Sequence, residues 1–189
     1  MQSISYGRVS RFLHWGMALL IISTILLVEF KDMLPTRSMK HVDILLHIQI
    51  GLFIFFLIWV RVIWRATHPI PPIYPPLSPV QHSMATAAHL LLYFMIATIP
   101  LLGVLALQSK GKQVDFLGMP LPVLLGEDIG LPYSLTIRSY HELFGNILIG
   151  LILFHMLAAL IHHLFRRDST LVRMLPWLDQ RNGKGLIRK

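Results

Sequence analysis

Four long apolar stretches dominate the chain, at about 10–30, 44–64, 84–107 and 137–165. Each reaches the roughly 20 helical residues needed to cross a hydrocarbon core of about 30 Å. The pattern predicts four transmembrane helices within a single membrane domain covering 1–189. It shows no internal repeat and no separate soluble domain. Arg8 and Arg11 ahead of the first stretch imitate a secretory signal. Glu29-Phe30-Lys31 follows it instead of a small-residue cleavage pattern, so that helix is expected to be retained. Segment 68–79 carries six prolines and is predicted to be an extended strap. Segment 109–136, rich in Gly and Pro, is expected to fold over the far end as a cap.

Composition agrees with a membrane protein. Hydrophobic residues make up 54% and charged residues 14%, with a mean hydropathy of +0.63. The absence of cysteine excludes disulfides, thiolate metal sites, iron–sulfur clusters and thioether-linked haem. The formal charge of +8 is unevenly placed. One side of the four spans collects Arg8, Arg11, Arg61, Arg65, Arg166, Arg167, Arg173, Arg181, Lys184, Arg188 and Lys189 against Asp168 and Asp179, a balance of +9. The other side holds Lys31, Arg37, Lys40, Lys110, Lys112 and Arg138 against seven acids, a balance of −1. Lys and Arg concentrate in cytoplasmic segments, so both termini are expected in the cytoplasm. The basic excess is thus a topology signal, with lipid as the surroundings and no nucleic-acid partner.

Ten histidines are the unusual feature. His41, His68 and His82 fall between the stretches and read as surface residues. His14, His47, His89, His141, His155, His162 and His163 fall within them, where ionisable groups are costly and mark function. His141 and His155 are 14 residues apart, about 21 Å along a helix and within about 40° of the same face. The alternating direction of the spans sets His47 level with His141 and His14 level with His155. Two opposed pairs are what two bis-histidine haems b stacked across a bilayer require. The predicted fold class is therefore all-α, a transmembrane four-helix bundle binding two haems b. By counting alone, His89 or His162 could replace His14 or His155. A ligand at His162 would stretch the separation from His141 to about 31 Å, which favours His155 because electron tunnelling falls steeply with distance. Gly51 and Gly145 follow His47 and His141 by one turn and could let a flat porphyrin approach the backbone. Another class remains open, a small transporter with a histidine proton relay. Hydrolytic metal chemistry does not fit, since His141-Glu142 does not continue into H-E-x-x-H.

Nearly the whole chain resembles the bacterial cytochrome b561 family. The matching pieces are Arg11-Phe12-Leu13-His14-Trp15, Glu29-Phe30-Lys31, His47-Ile48-Gln49-Ile50-Gly51, Arg61-Val62-Ile63-Trp64-Arg65, Pro71-Pro72, His89-Leu90 and Pro100-Leu101-Leu102-Gly103. His141-Glu142, His155, His162-His163 and the run from Asp168 to Pro176 complete the match. The resemblance implies a di-haem b protein of the bacterial inner membrane, with axial ligands at His14, His47, His141 and His155. It also implies electron exchange with ubiquinone on the cytoplasmic half and oxidation of superoxide at the periplasmic face. Other members of the family are haem-bearing electron-transfer subunits, so a periplasmic protein donor is the alternative to superoxide. Some members carry lysines in the strap after span two, where this chain has Tyr74-Pro75-Pro76-Leu77.

Further expectations concern polar partners. Haem propionates are anionic and need cations, with Arg11 and Arg61 expected inside and Arg138 outside. His162, with His89 behind it, is expected to bind and protonate a quinone oxygen. Lys31, Arg37, Lys40 and Arg138 are expected to attract superoxide if they cluster.

Overall fold

Each apolar stretch forms one helix, and the second and third helices begin ahead of their stretches because polar caps start them early. The computed structural model describes residues 5–125 and 131–178. It contains α1 (Arg8–Phe30), α2 (Arg37–Thr67), α3 (Pro79–Gln108) and α4 (Leu131–Ile161). Thr36 begins α2, its hydroxyl accepting from the Met39 amide at 3.2 Å. Ser78 and Gln81 form a reciprocal capping box around Pro79 at the start of α3. His41 and His82, expected in loops, therefore lie near the starts of α2 and α3. His68 immediately follows α2, its ring stacked on Trp64 at 3.6 Å. Five of the counted charges on the terminal side, Asp179, Arg181, Lys184, Arg188 and Lys189, lie outside the described residues, as do Glu127 and Asp128.

The helices pack in sequence, α1 on α2, α2 on α3 and α3 on α4. Their shared core is Met17 and Ile21 from α1, Ile54 and Ile58 from α2, Leu92, Met95 and Ile96 from α3, and Leu148 from α4. The outward faces are equally apolar: Phe12, Leu90, Leu153 and Leu164 are all exposed. A soluble bundle turns polar residues outward, whereas helices apolar all round belong in lipid. All four helices are long and apolar enough to cross a membrane.

A short hairpin closes one end, called here the hairpin end. Strands β1 (Asp115–Phe116) and β2 (Met119–Pro120) pair antiparallel across Leu117 and Gly118. Both turn residues have positive φ, 52° and 82°, the hairpin turn that matches strand twist. Two glutamines hold this segment down. Gln49 donates to the Asp115 carbonyl at 2.7 Å and accepts from the Leu117 amide at 3.0 Å. Gln108 donates to the Pro122 carbonyl and accepts from the Leu124 amide, both at 2.9 Å. Val114 is buried beneath them against Leu52 and Val104. The expected cap is thus present as far as residue 125.

At the opposite, terminal end, the strap lies against the segment that follows α4. The Ser169 amide donates to the Tyr74 carbonyl at 2.8 Å, and the Tyr74 amide donates to Ser169 Oγ at 2.9 Å. Arg173 donates to the Pro71 carbonyl and lies over the Tyr6 ring, 5.3 Å from its centre. The strap has no regular structure of its own, so these contacts fix its path.

Candidate functional site

Imidazoles from different helices meet at both ends of the bundle. At the hairpin end, His47 of α2 and His141 of α4 have ring centres 6.1 Å apart. His47 Nδ1–H donates to the Thr24 carbonyl at 3.0 Å, with the Thr24 hydroxyl 3.1 Å away. His141 Nδ1–H donates to the Ile99 carbonyl at 2.9 Å. Both rings thus use Nδ1 to fix their orientation and leave the Nε2 lone pair available, the arrangement that metal-binding histidines adopt. The Ile99 carbonyl lies beside Pro100, which interrupts the amide ladder of α3. One turn on, a Cβ at Gly103 would stand 3.1 Å from His141 Cε1, so glycine lets α3 press on the ring.

At the terminal end, His14 of α1 and His155 of α4 have ring centres 6.4 Å apart. His89 approaches His155 more closely, at 5.5 Å, but its Nδ1–H is directed to the Ala85 carbonyl of its own helix at 2.5 Å. Arg61 donates from Nη2 to His14 Nδ1 at 2.7 Å and stacks on Tyr93 at 5.7 Å. None of the ion pairs among the described residues includes Arg61. A desolvated guanidinium without a carboxylate is costly. Arg11, nearby on α1, has a buried Nε without a hydrogen-bond partner. This end therefore offers cations that suit an anionic ligand.

These rings can be tested against a metal held between them. Two imidazoles on opposite sides of one ion stand about 6.2 Å apart, from two metal–nitrogen bonds of about 2 Å and about 1.1 Å from each nitrogen to its ring centre. The 6.1 Å and 6.4 Å pairs fit that spacing, and the 5.5 Å His89–His155 pair is shorter. Among the described residues no group of three or more His, Cys, Asp or Glu could hold a bare ion. Two imidazoles suit a metal whose other positions are filled by a macrocycle. A Cβ at Gly51 or Gly145, one turn beyond His47 and His141, would meet nothing within 4 Å.

The remaining residues stand apart from these pairs. Arg138 forms an exposed ion pair with Glu142 at 2.8 Å, and Lys40 approaches Asp32 at 3.7 Å. Two of the four cations expected to attract superoxide therefore face acids. His162 opens a π-helical turn, His162–Arg166, that ends α4, and its Nδ1 lies 2.5 Å from Asp168 Oδ2. Nothing in the sequence announces Thr24, Ile99 and Gly103 as partners of the rings, or Asp168 as the partner of His162.

The model of the prokaryotic cytochrome b561 family matches residues 5–177. The chain is 30% identical over 164 residues to a Yersinia pestis protein named "Probable superoxide oxidase", covering 87% of this chain and 92% of that one. It is also 30% identical to two proteins of Escherichia coli strain K12, cytochrome b561 homologs 1 and 2, each over 172 residues. Those matches cover 90% of this chain, and 97% and 90% of the relatives. With the apolar bundle and its facing imidazoles, they make the chain a member of the prokaryotic cytochrome b561 family of haem b-binding membrane electron-transfer proteins.

Proposed function

We propose that this protein carries two haems b and moves electrons across the bacterial inner membrane from the periplasmic face to ubiquinone, with superoxide as the donor. The observation that carries this reading is the pair of imidazole couples, 6.1 Å and 6.4 Å between ring centres, at opposite ends of one bundle. His47 and His141 would hold one haem, and His14 and His155 the other. Haem b, when bound, supplies a one-electron redox couple at each end. Thr24 and Ile99 lock the hairpin-end rings, and the glutamine-held loop packs on α2 and α3 at the same end of the bundle. The charge asymmetry supports a periplasmic hairpin end, because seven of the described arginines lie toward the terminal end.

Arg61 and Arg11 would receive the propionates of the inner haem. Arg61 would then turn from His14 Nδ1 to the carboxylate, and that nitrogen would regain its proton as the ring bound metal through Nε2. Arg61→Gln should lower the inner potential by on the order of 50 mV, the effect of one charge interaction of about 1 kcal/mol. A redox titration identical to wild type would instead make Arg61 a simple membrane anchor.

Superoxide as donor rests on the named relative and on the cations of the hairpin end. Rapid mixing of superoxide with protein and ubiquinone should reduce the haems at near-diffusion rate. Added salt and charge reversal at Arg37 or Arg138 should each slow that step severalfold. The pairing of Arg138 with Glu142 and of Lys40 with Asp32 favours a second reading, in which a periplasmic protein delivers the electrons. Slow, salt-indifferent reduction by superoxide would select it.

A further inference from the structure

The segment beyond α4 holds a buried carboxylate that the electron path does not use. Asp168 is 1% exposed, and each of its oxygens is engaged. Oδ1 accepts from the Thr170 amide at 2.9 Å. Oδ2 lies 2.5 Å from His162 Nδ1 and accepts from Arg166 Nε at 3.2 Å. Arg166 in turn donates to Gln81 on α3 at 2.6 Å, which ties the turn to the bundle. The geometry comes from the backbone: the π-helical turn ends at Arg167 in the left-handed region, and the Asp168 amide then donates to the His162 carbonyl at 3.2 Å. The chain is folded back so that residue 168 meets the ring of residue 162. Wide turns of this kind occur frequently at functional sites.

We propose that Asp168 is a positioning residue for His162, fixing Nε2 as the nitrogen that exchanges a proton with the quinone; this rests on the reading of His162 as the quinone contact. An ionised carboxylate can only accept, so the 2.5 Å contact requires the proton to sit on Nδ1. Burial alone would raise the Asp168 pKa, but hydrogen bonds from His162 and Thr170, with the charge of His162, outweigh it and hold the carboxyl below its ordinary value. The charged or titratable groups facing the pair are Arg166 on the turn and Arg173 beyond it. Quinone reduction takes two electrons and two protons. The electrons come from the reduced haems, one at a time. Each proton supplied by His162 passes from its Nε2–H to a quinone oxygen, leaving a neutral ring whose Nδ1–H still points at Asp168. Cytoplasmic water restores the Nε2 proton, which the partial exposure of His162 permits.

The test begins from chemically reduced holoprotein, which bypasses the physiological donor. It follows re-oxidation of the haems by a short-chain ubiquinone across a range of pH. Asp168→Asn should slow the maximal rate about ten- to a hundredfold, the range for losing a partner that orients a functional histidine. The quinone concentration for half-maximal rate should hold, the pH profile should shift, and both haem spectra should remain. Asp168→Glu should recover part of the rate. His162→Gln slow with Asp168→Asn at wild-type rate and pH profile would overturn the role of Asp168 and leave the quinone reading standing. Both variants at wild-type rate would remove the quinone from His162. Should Asp168→Asn fail to hold haem, nitrogen NMR of the labelled unmodified protein decides. The resonances that vanish in His162→Gln should show the proton on Nδ1, and a proton on Nε2 alone would overturn the proposal.

Discussion

Replacing His47 or His141 by alanine is expected to remove one haem and leave the other, halving the haem-to-protein ratio. His14→Ala or His155→Ala should remove the counterpart. The two couples share α4 but draw their second imidazole from different helices, α2 at the hairpin end and α1 at the terminal end. Losing one imidazole leaves a site with a single ligand, while the other couple, about 21 Å away along α4, keeps its own orienting contacts. His141→Ala should also abolish haem reduction by an external donor, since entry at the hairpin end is lost. His89→Ala should retain both haems, because its ring lies too near His155 to share a metal with it and is turned to Ala85. Loss of a haem in His89→Ala or His162→Ala, read by the same absorbance ratio, would overturn the pairing.

Gly103→Val should cost the hairpin-end haem almost as completely as His141→Ala, although no ligand is changed. A Cβ at residue 103 would already stand 3.1 Å from His141 Cε1, and valine adds two further carbons. The ring cannot retreat without lengthening its 2.9 Å bond to the Ile99 carbonyl, so it must leave the orientation that this bond fixes. Gly103→Ala asks the ring to yield by only a few tenths of an ångström and should lower occupancy partially. A full haem complement in Gly103→Val would show that α3 plays no part in setting the ring.

The spans and the facing of His47 and His141 were legible because both follow from simple counting, whereas counting alone left His89 and His162 as alternatives at the terminal end. Apolar stretches of membrane length mark the helices, and the 14-residue interval on one helix, with alternating chain direction, sets the opposed rings at matching depths. The ends were less legible. Caps such as Thr36 and the Ser78–Gln81 box stand outside the apolar run, so hydropathy stops short of them and His41 and His82 fall to the loops. The contact of Arg61 with His14 spans 47 residues and two helices, and nothing local announces it. Asp168 escaped for another reason. Counting at 3.6 residues per turn assumes that α4 continues regularly, whereas its last turn widens and the chain then reverses at Arg167.

The fasteners of the hairpin-end loop carry no net charge. Gln49 and Gln108 hold the loop backbone through amide groups that neither titrate in the ordinary range nor attract counterions. Ion pairs in the same positions would loosen with added electrolyte. The loop should therefore keep its place on α2 and α3 across wide changes of acidity and ionic strength. Any electrolyte effect on electron entry at that end then measures how the donor approaches, without a contribution from a shifting loop.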